Sequence, residues 1–429
     1  MNAPRIVVEP NAHHLLNLGD VAMLQVAVER LSGLWPDSRI EVITEAPARL
    51  RQFCPAAVPL DASGRRLWFE DHYSTYALHR ALPKSMSNRL LALERSSRRR
   101  WPGGVNRLIR MRAALRNDDT GPLDDFLAAV STADLVVSTG AGALTDTFAP
   151  LALAVLDLLE GAKQTGAVAA LLGHGIGPLT DRALVERARA VLPRLDLISI
   201  REQSLGGPLL ESLGVQPDRV VATGDDAIEL AYRARAFEAT PAGRVGLNLR
   251  IARYSEVDVK TAAAVGAVVR DAAARHRADV VSIPISVHPR EADAEVIASA
   301  LASGAKAAEA VSPLSVVERI GQCRLVVTGS YHAAVFALAH GIPAVGLTRS
   351  AYYDAKFVGL NEQFGGTMGI VSLGEGDVEP RLMRAIDEAW ENAEVVRPQL
   401  LRLAREQVEE GRGAYRRLQA LVSGRSGSS

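Results

Sequence analysis

The stretch Arg5–Trp35, RIVVEPNAHHLLNLGDVAMLQVAVERLSGLW, reads as a strand, a turn and a helix. Arg5–Glu9 is a short β-branched run, Gly19-Asp20 makes a turn, and Val21–Trp35 spaces its apolar residues at a helical period. The same order recurs downstream. Leu135–Ser138, Ala167–Leu172, Asp196–Ile200 and Val220–Thr223 are brief apolar runs, each followed by a polar or glycine-bearing loop and then by helical periodicity. Parallel strands need helical crossovers, so this rhythm predicts a doubly wound α/β domain. The chain has 429 residues, more than the ~250–300 at which one core stops growing, so a second domain is expected. A composition break at Thr240-Pro241-Ala242-Gly243 marks its start, and the strand pattern resumes at Arg244–Leu249, Asp279–Ile285, Arg324–Val327 and Ala344–Leu347. Helices are expected at Pro313–Gly321 and Ala333–His340. The expected division is 1–240, with a helical insertion at about 61–122, then 241–379, then C-terminal helices and a frayed tail, Ser423–Ser429, within 380–429.

Composition narrows the function. Hydrophobic residues make up 48% and charged residues 23%, with mean hydropathy +0.06, which excludes bulk disorder. Forty-nine basic residues balance 49 acidic ones, so no overall charge recruits nucleic acid or an anionic membrane. Cys54 and Cys323 lie far apart without metal-ligand spacing and read as reduced, packed thiols. The first residues lack a basic segment followed by a long apolar run, and no apolar stretch reaches the ~18 residues of a membrane span, so a cytoplasmic chain is expected. One region departs from the balance. Arg95, Arg98, Arg99, Arg100, Arg107, Arg110, Arg112 and Arg116 crowd the insertion. They read as a solvated helical face or as a peripheral dock for an anionic lipid or polymer at the inner face of the membrane, with Trp101 as interfacial anchor.

In open α/β sheets ligands bind at the carboxyl ends of strands, where loop amides and helix N-termini face outward. The first such loop, Asn17-Leu18-Gly19-Asp20, has a glycine that lets backbone approach a ligand and an Asp20 suited either to capping a helix from Val21 or to catalysis. Gly140 and Gly142 alternate with small residues before Asp146 and can expose amides to a phosphate or carboxylate, although the lysine of a P-loop is missing. In Gly173-His174-Gly175-Ile176-Gly177-Pro178, His174 is expected at the cleft as a donor or proton exchanger; the alternative is a histidine bonded to a backbone carbonyl. Arg201 presents a fork for an anion unless Glu202 holds it. In Gly224-Asp225-Asp226 the twinned acids could hold a metal or act as an acid/base pair, but no third ligand is evident; capping is the default for at least one, and no metal is assigned. Three more strand ends carry Arg250, His288 and the Gly329-Ser330-Tyr331-His332 turn. If the domains face each other, these groups form an electropositive pocket for a small polyanion.

Together these motifs resemble the polysaccharide pyruvyl transferase family. The likeness runs through the N-x-G-D turn, the small-residue loop to Asp146, GHGIGPL, the SIRE segment with Ser204 and Gly214-Val215, and GSYHAAVFALAHGIPAVGL. It implies two facing Rossmann-like, GT-B-like domains and transfer of the pyruvyl group of phosphoenolpyruvate onto two sugar hydroxyls. The product would be a cyclic ketal on a cell-surface or exopolysaccharide glycan. Phosphoenolpyruvate is then donor substrate, no separate cofactor is needed, and the acceptor is a glycan or lipid-linked sugar. In the mechanism so implied, His332 would be general acid or phosphate contact, Asp20 the base, and Arg201 with Arg250 the clamps. Gly329, Ser330, His288, Gly140 and Gly142 would line the donor side, and Asn17, Gly19, His174 and Asp146 the acceptor side. The family commonly carries an arginine two residues before the histidine matching His332; here Ser330 stands there, and Arg201, Arg250, Arg349 or Lys356 could supply the missing charge. Two other readings compete. One is a GT-B glycosyltransferase or sugar epimerase taking a nucleotide-sugar, and the other is a non-catalytic sugar-binding or scaffold protein.

Overall fold

The computed structural model describes residues 3–70, 83–140, 142–235, 243–252, 255–289, 292–301 and 311–426. These residues form two sheets, parallel throughout. The first contains β1 (Arg5–Glu9), β2 (Arg39–Thr44), β3 (Ala57–Asp61), β4 (Leu135–Ser138), β5 (Val168–His174), β6 (Leu197–Ile200) and β7 (Val220–Ala222) in the order β3-β2-β1-β4-β5-β6-β7. The second contains β8 (Arg244–Asn248), β9 (Asp279–Ser282), β10 (Leu325–Thr328), β11 (Ala344–Thr348) and β12 (Gly369–Ser372) in the order β12-β11-β10-β8-β9. Each order reverses once, between β1 and β4 and between β8 and β10. At such a switch point neighbouring crossovers leave in opposite directions, opening a crevice above the strand ends.

Most expected strands are present within two residues of their predicted bounds, although β9 stops at Ser282, short of the expected Ile285. Three further strands, β2, β3 and β12, escaped the sequence reading. β3 is an edge strand and carries Pro59, whose missing N–H is tolerated only at an edge or bulge. The expected linker at 240–243 falls almost entirely outside the described residues. The expected insertion belongs to the crossover that returns the chain from edge strand β3 to β4. Among the described residues its helices are Ala62–Phe69, Lys84–Arg100, Pro102–Arg116 and Gly121–Ser131. The first and last of these lie so close that a β-carbon on Gly64 would fall 1.9 Å from the Pro122 carbonyl oxygen.

The helix expected from Val21 begins earlier, at Leu18. Its cap is Asn17, whose side-chain oxygen accepts from the Gly19 and Asp20 amides at 3.0 and 3.4 Å. Asp20 is therefore not the cap, and its carboxylate is left for other work. The C-terminal helices are one helix, Val378–Ser426, with Pro398 inside it; Ser423–Ser426 are helical, not frayed, and 427–429 lie outside the described residues.

That long helix ties the two halves together. Leu382 and Ile386 pack in the core of the second sheet, Leu400, Ala404 and Val408 in a core shared by both halves, and Leu418 and Val422 under the first sheet. Polar groups fix its register. Tyr415 donates its hydroxyl to Asp226 at 2.7 Å, Arg30 meets Asp226 at 2.5 Å and Glu229 at 2.7 Å, and Arg412 meets Glu229 at 2.7 Å. Tyr415→Phe removes one partner from a buried carboxylate and is expected to cost about 1–3 kcal/mol, read as a lowered melting temperature. An unchanged melting temperature would contradict the tie.

Candidate functional site

Backbone pairing holds the two switch points face to face. The Leu18 amide donates to the Ile285 carbonyl at 3.0 Å and the Val287 amide to Leu16 at 2.9 Å, flanking an antiparallel bridge between Asn17 and Ser286. The loop leaving β1 is thereby joined to the segment following β9. Between the lobes lies a cavity of about 200 Å³. The first lobe lines it with Asn11, Asn17 and Asp20 after β1, Gly142 after β4, and Arg201 after β6. The second supplies Arg250 after β8, Ser330 and His332 after β10, and Lys356 from the helix Ala351–Gln363. Phe148, Leu151, Tyr352 and Tyr353 add an apolar wall, with Phe148 and Tyr352 edge to face at 5.9 Å.

Gly19 of the first lobe packs directly against His332 of the second. A β-carbon on Gly19 would sit 2.0 Å from His332 Cγ, so only glycine lets the helix Leu18–Leu34 reach the imidazole. The ring stands edge-on to Tyr331 at 5.4 Å, and its Nε2 has no hydrogen-bond partner, with Asp225 Oδ2 the nearest acid at 3.7 Å. Burial lowers the proton affinity of His332 below the usual histidine value, and the charges of Asp225 and Asp20 oppose that shift without reversing it. The imidazole is accordingly neutral at rest, beside two carboxylates that would stabilise its charged form.

Asp225, whose default reading from sequence is a cap, does two things. One oxygen accepts from the Ala227 amide at 2.9 Å, and the other accepts from Arg201 Nη1 at 2.9 Å. One nitrogen of Arg201 is therefore tied to Asp225. Its side chain is 1% exposed, its guanidinium stacks 4.5 Å from the Tyr331 ring centre, and its Nη2 abuts Gly175, where a β-carbon would come within 2.3 Å. Its Nε and Nη2 have no hydrogen-bond partner, so the expected donor clamp is a buried cation on the cavity wall with donor capacity left over. Nearby Asp293 lies 3.8 Å from Arg250 and accepts from Asn248, Ile285 and Ser286, which anchors the base of the Arg250 side.

Several expected roles change. His174, expected at the cleft, is fully buried, with Nε2 3.1 Å from both the carbonyl and the hydroxyl of Ser138; burial first, then the charge of Arg201, pushes it down to about 3. Asp146 accepts from the Thr180 amide and hydroxyl and from the Asp181 amide, and these bonds outweigh burial to hold its carboxyl below the usual range. It braces the loop and does not line the cavity. Gly140 faces Met23 and the Gly173 carbonyl, again away from the cavity. His288 is outside the lining, and so is Arg349, which meets Thr261 at 2.9 Å and Asp258 at 3.6 Å. The amides of Gly329 and Ser330, expected to face a ligand, are spent on Asn248 O and Thr328 Oγ1. The next turn remains. Ser330 gives the helix Tyr331–Ala339 no side-chain cap, and Ser330, Tyr331 and His332 at this positive end line the cavity.

Lys356 was missed as a site residue except as a substitute charge. Its ammonium lies 4.2 Å from the Tyr352 ring centre and 5.5 Å from that of Tyr331, and enters no ion pair among the described residues. Burial, aided by Arg201, pushes it down to about 7. A lysine lowered in this way is cationic below that value and neutral above it. Sulfate, whose charge is constant across the range, is therefore expected to stabilise the protein against heat at pH 6 and progressively less as pH rises through about 7. Lys356→Met should flatten that dependence, and an unchanged profile in the variant would contradict the assignment. For the close approach, Gly19→Ala is expected to lose about 1–3 kcal/mol of stability by overpacking. Gly33→Ala in the same helix meets nothing within 4 Å and should be neutral or stabilising. Equal melting temperatures for the two variants would be the contrary result.

Comparison with known proteins agrees with this architecture. The family model described as "Polysaccharide pyruvyl transferase" matches residues 17–351, most of the chain. No curated protein matches the chain in sequence. Among solved structures, a UDP-GlcNAc 2-epimerase from Neisseria meningitidis bound to UDP-GlcNAc aligns at 11% identity over 98% of this chain and 99% of its own, with TM-score 0.54. A glycosyltransferase from Rickettsia africae aligns at 11% identity over 98% and 99%, with TM-score 0.51. At such identities the likeness is one of fold, and the fold is GT-B.

Proposed function

The chain belongs to the polysaccharide pyruvyl transferase family, and from that membership we propose that it moves the pyruvyl group of phosphoenolpyruvate onto two hydroxyls of a sugar, closing a cyclic ketal on a cell-surface or exopolysaccharide glycan. The observation that carries the reading is the gathering of His332, Arg250, Lys356 and the uncapped end of the helix Tyr331–Ala339 around one cavity. That chemistry suits a small molecule with a phosphate and a carboxylate on one carbon skeleton. Lys356 and Arg250 supply positive charge at the place where Ser330 replaces the family's arginine.

The proton ledger follows from the reaction. The donor's two anionic groups raise the proton affinity of His332, which then gives a proton to the terminal CH2 carbon and makes it a methyl. Positive charge develops at C2, and an acceptor hydroxyl bonds there, losing its proton to Asp20. The bond from C2 to the phosphate oxygen breaks with its electron pair leaving on phosphate, and the second hydroxyl closes the ring. Of the two hydroxyl protons, one replaces the proton used to make the methyl and the other leaves with phosphate. Arg201 and Asp225 act as positioning residues behind His332, and the Phe148–Tyr352 wall offers an apolar face to a sugar ring.

The test is phosphate release from phosphoenolpyruvate across a glycan panel, with mass spectrometry for the ketal. His332→Asn is expected to lose ~10²–10⁴ in rate with its melting temperature unchanged, as removal of a positioned acid does. Phosphoenolpyruvate should also raise the melting temperature while UDP-sugars do not. Protection by UDP-sugars alone, or full turnover by His332→Asn, would overturn the proposal.

A further inference from the structure

We propose that the helices Lys84–Arg100 and Pro102–Arg116 are a docking surface for an anionic lipid bilayer. Residues 84–116 hold ten basic side chains and one acidic one, Glu94, in a chain whose charges cancel only when taken as a whole. The two helices pack on each other, and the pair is held to the body from beneath. Ile109 packs with Leu67 and Leu123, Arg110 pairs with Asp124, and Arg99 meets Asp157 at 3.5 Å. The outer face is apolar as well as basic. Leu108, Met111 and Leu115 recur at helical spacing opposite buried Ile109 and Ala113, Met86 and Leu93 stand two turns apart on the other helix, and Trp101 occupies the corner between the helices. Trp101 is 76% exposed and Leu115 81%. Arg89, Arg100 and Arg107 are exposed and enter no ion pair among the described residues.

An apolar stripe rimmed by arginines, with a tryptophan at its edge, matches the boundary between lipid headgroups and acyl chains. A nucleic acid would reward the arginines but leave Leu93, Met111 and Leu115 in water. A second copy of the chain would bring two strongly positive faces together. No helix among the described residues is long and apolar enough to cross a membrane, so the contact is peripheral. The basic helices reach an element of the cavity wall. Asp157, gripped by Arg99, is six residues along the helix Ala149–Gln164 from Leu151 on the cavity wall, about 9 Å of helical rise.

Flotation of the full chain with vesicles tests the proposal. Vesicles of phosphatidylcholine containing phosphatidylglycerol should carry the protein, vesicles of phosphatidylcholine alone should not, and added salt should weaken the binding. The triple variant R89E/R100E/R107E should bind at least about a hundredfold more weakly, and W101S/L115S about tenfold more weakly. Both should melt as the parent does, because these side chains are exposed. The proposal is overturned by no vesicle binding at low salt, or by undiminished binding of both variants. Arginine-dependent binding to RNA or DNA without vesicle binding would equally overturn it, as would self-association lost in W101S/L115S without vesicle binding. None of these readouts requires turnover, so the surface and the cavity chemistry can fail separately.

Discussion

Everything in the cavity depends on how the loop after β1 is held. Its backbone bonds to Ile285 and Val287 carry one lobe's switch point onto the other's, and a glycine at position 19 then lets the helix Leu18–Leu34 touch His332. Neither lobe alone makes a site. The first contributes Asp20, Asn17 and buried Arg201, and the second contributes His332, Arg250, Lys356 and a free helix end. A backbone seam and one glycine contact bring the acid candidate and the base candidate to the same small space.

Charge in the site is layered. Arg201 is enclosed, stacked on Tyr331 and bonded to Asp225 through one nitrogen, with Nε and Nη2 left without a partner. Lys356 is poised near neutrality by burial, so an arriving anion gains a cation that the empty site only partly maintains. Pairing the interior cation and leaving the outer one adjustable keeps the cavity attractive to anions without stranding charge in the core. The long C-terminal helix stabilises this arrangement by packing on both lobes and by closing the Arg30–Asp226–Tyr415 cluster.

Much of this was legible in the sequence. Short β-branched runs followed by glycine loops predicted the doubly wound sheets, and the strand-end rule singled out Asp20, Arg250 and His332, which meet in one cavity. The errors have physical causes. Three alternating glycines made His174 look exposed, but β5 runs on to residue 174 and turns the ring in to Ser138. Asn17 and Asp20 are both good caps, and only the geometry decides that the helix starts from Asn17. Gly329 and Ser330 are where amides should face a ligand, but Thr328 and Asn248 take those N–H groups first. Lys356 and the aromatic wall lie in a helix whose sequence has no ligand signature; their role comes from the fold alone.

The most direct measurement is a crystal structure of the chain soaked with phosphoenolpyruvate in the absence of acceptor. The account predicts the phosphate at the first turn of the helix Tyr331–Ala339, within reach of Lys356 and Arg250, with the CH2 carbon facing the His332 imidazole. Donor bound elsewhere on either lobe, or with that carbon turned away from His332, would contradict it.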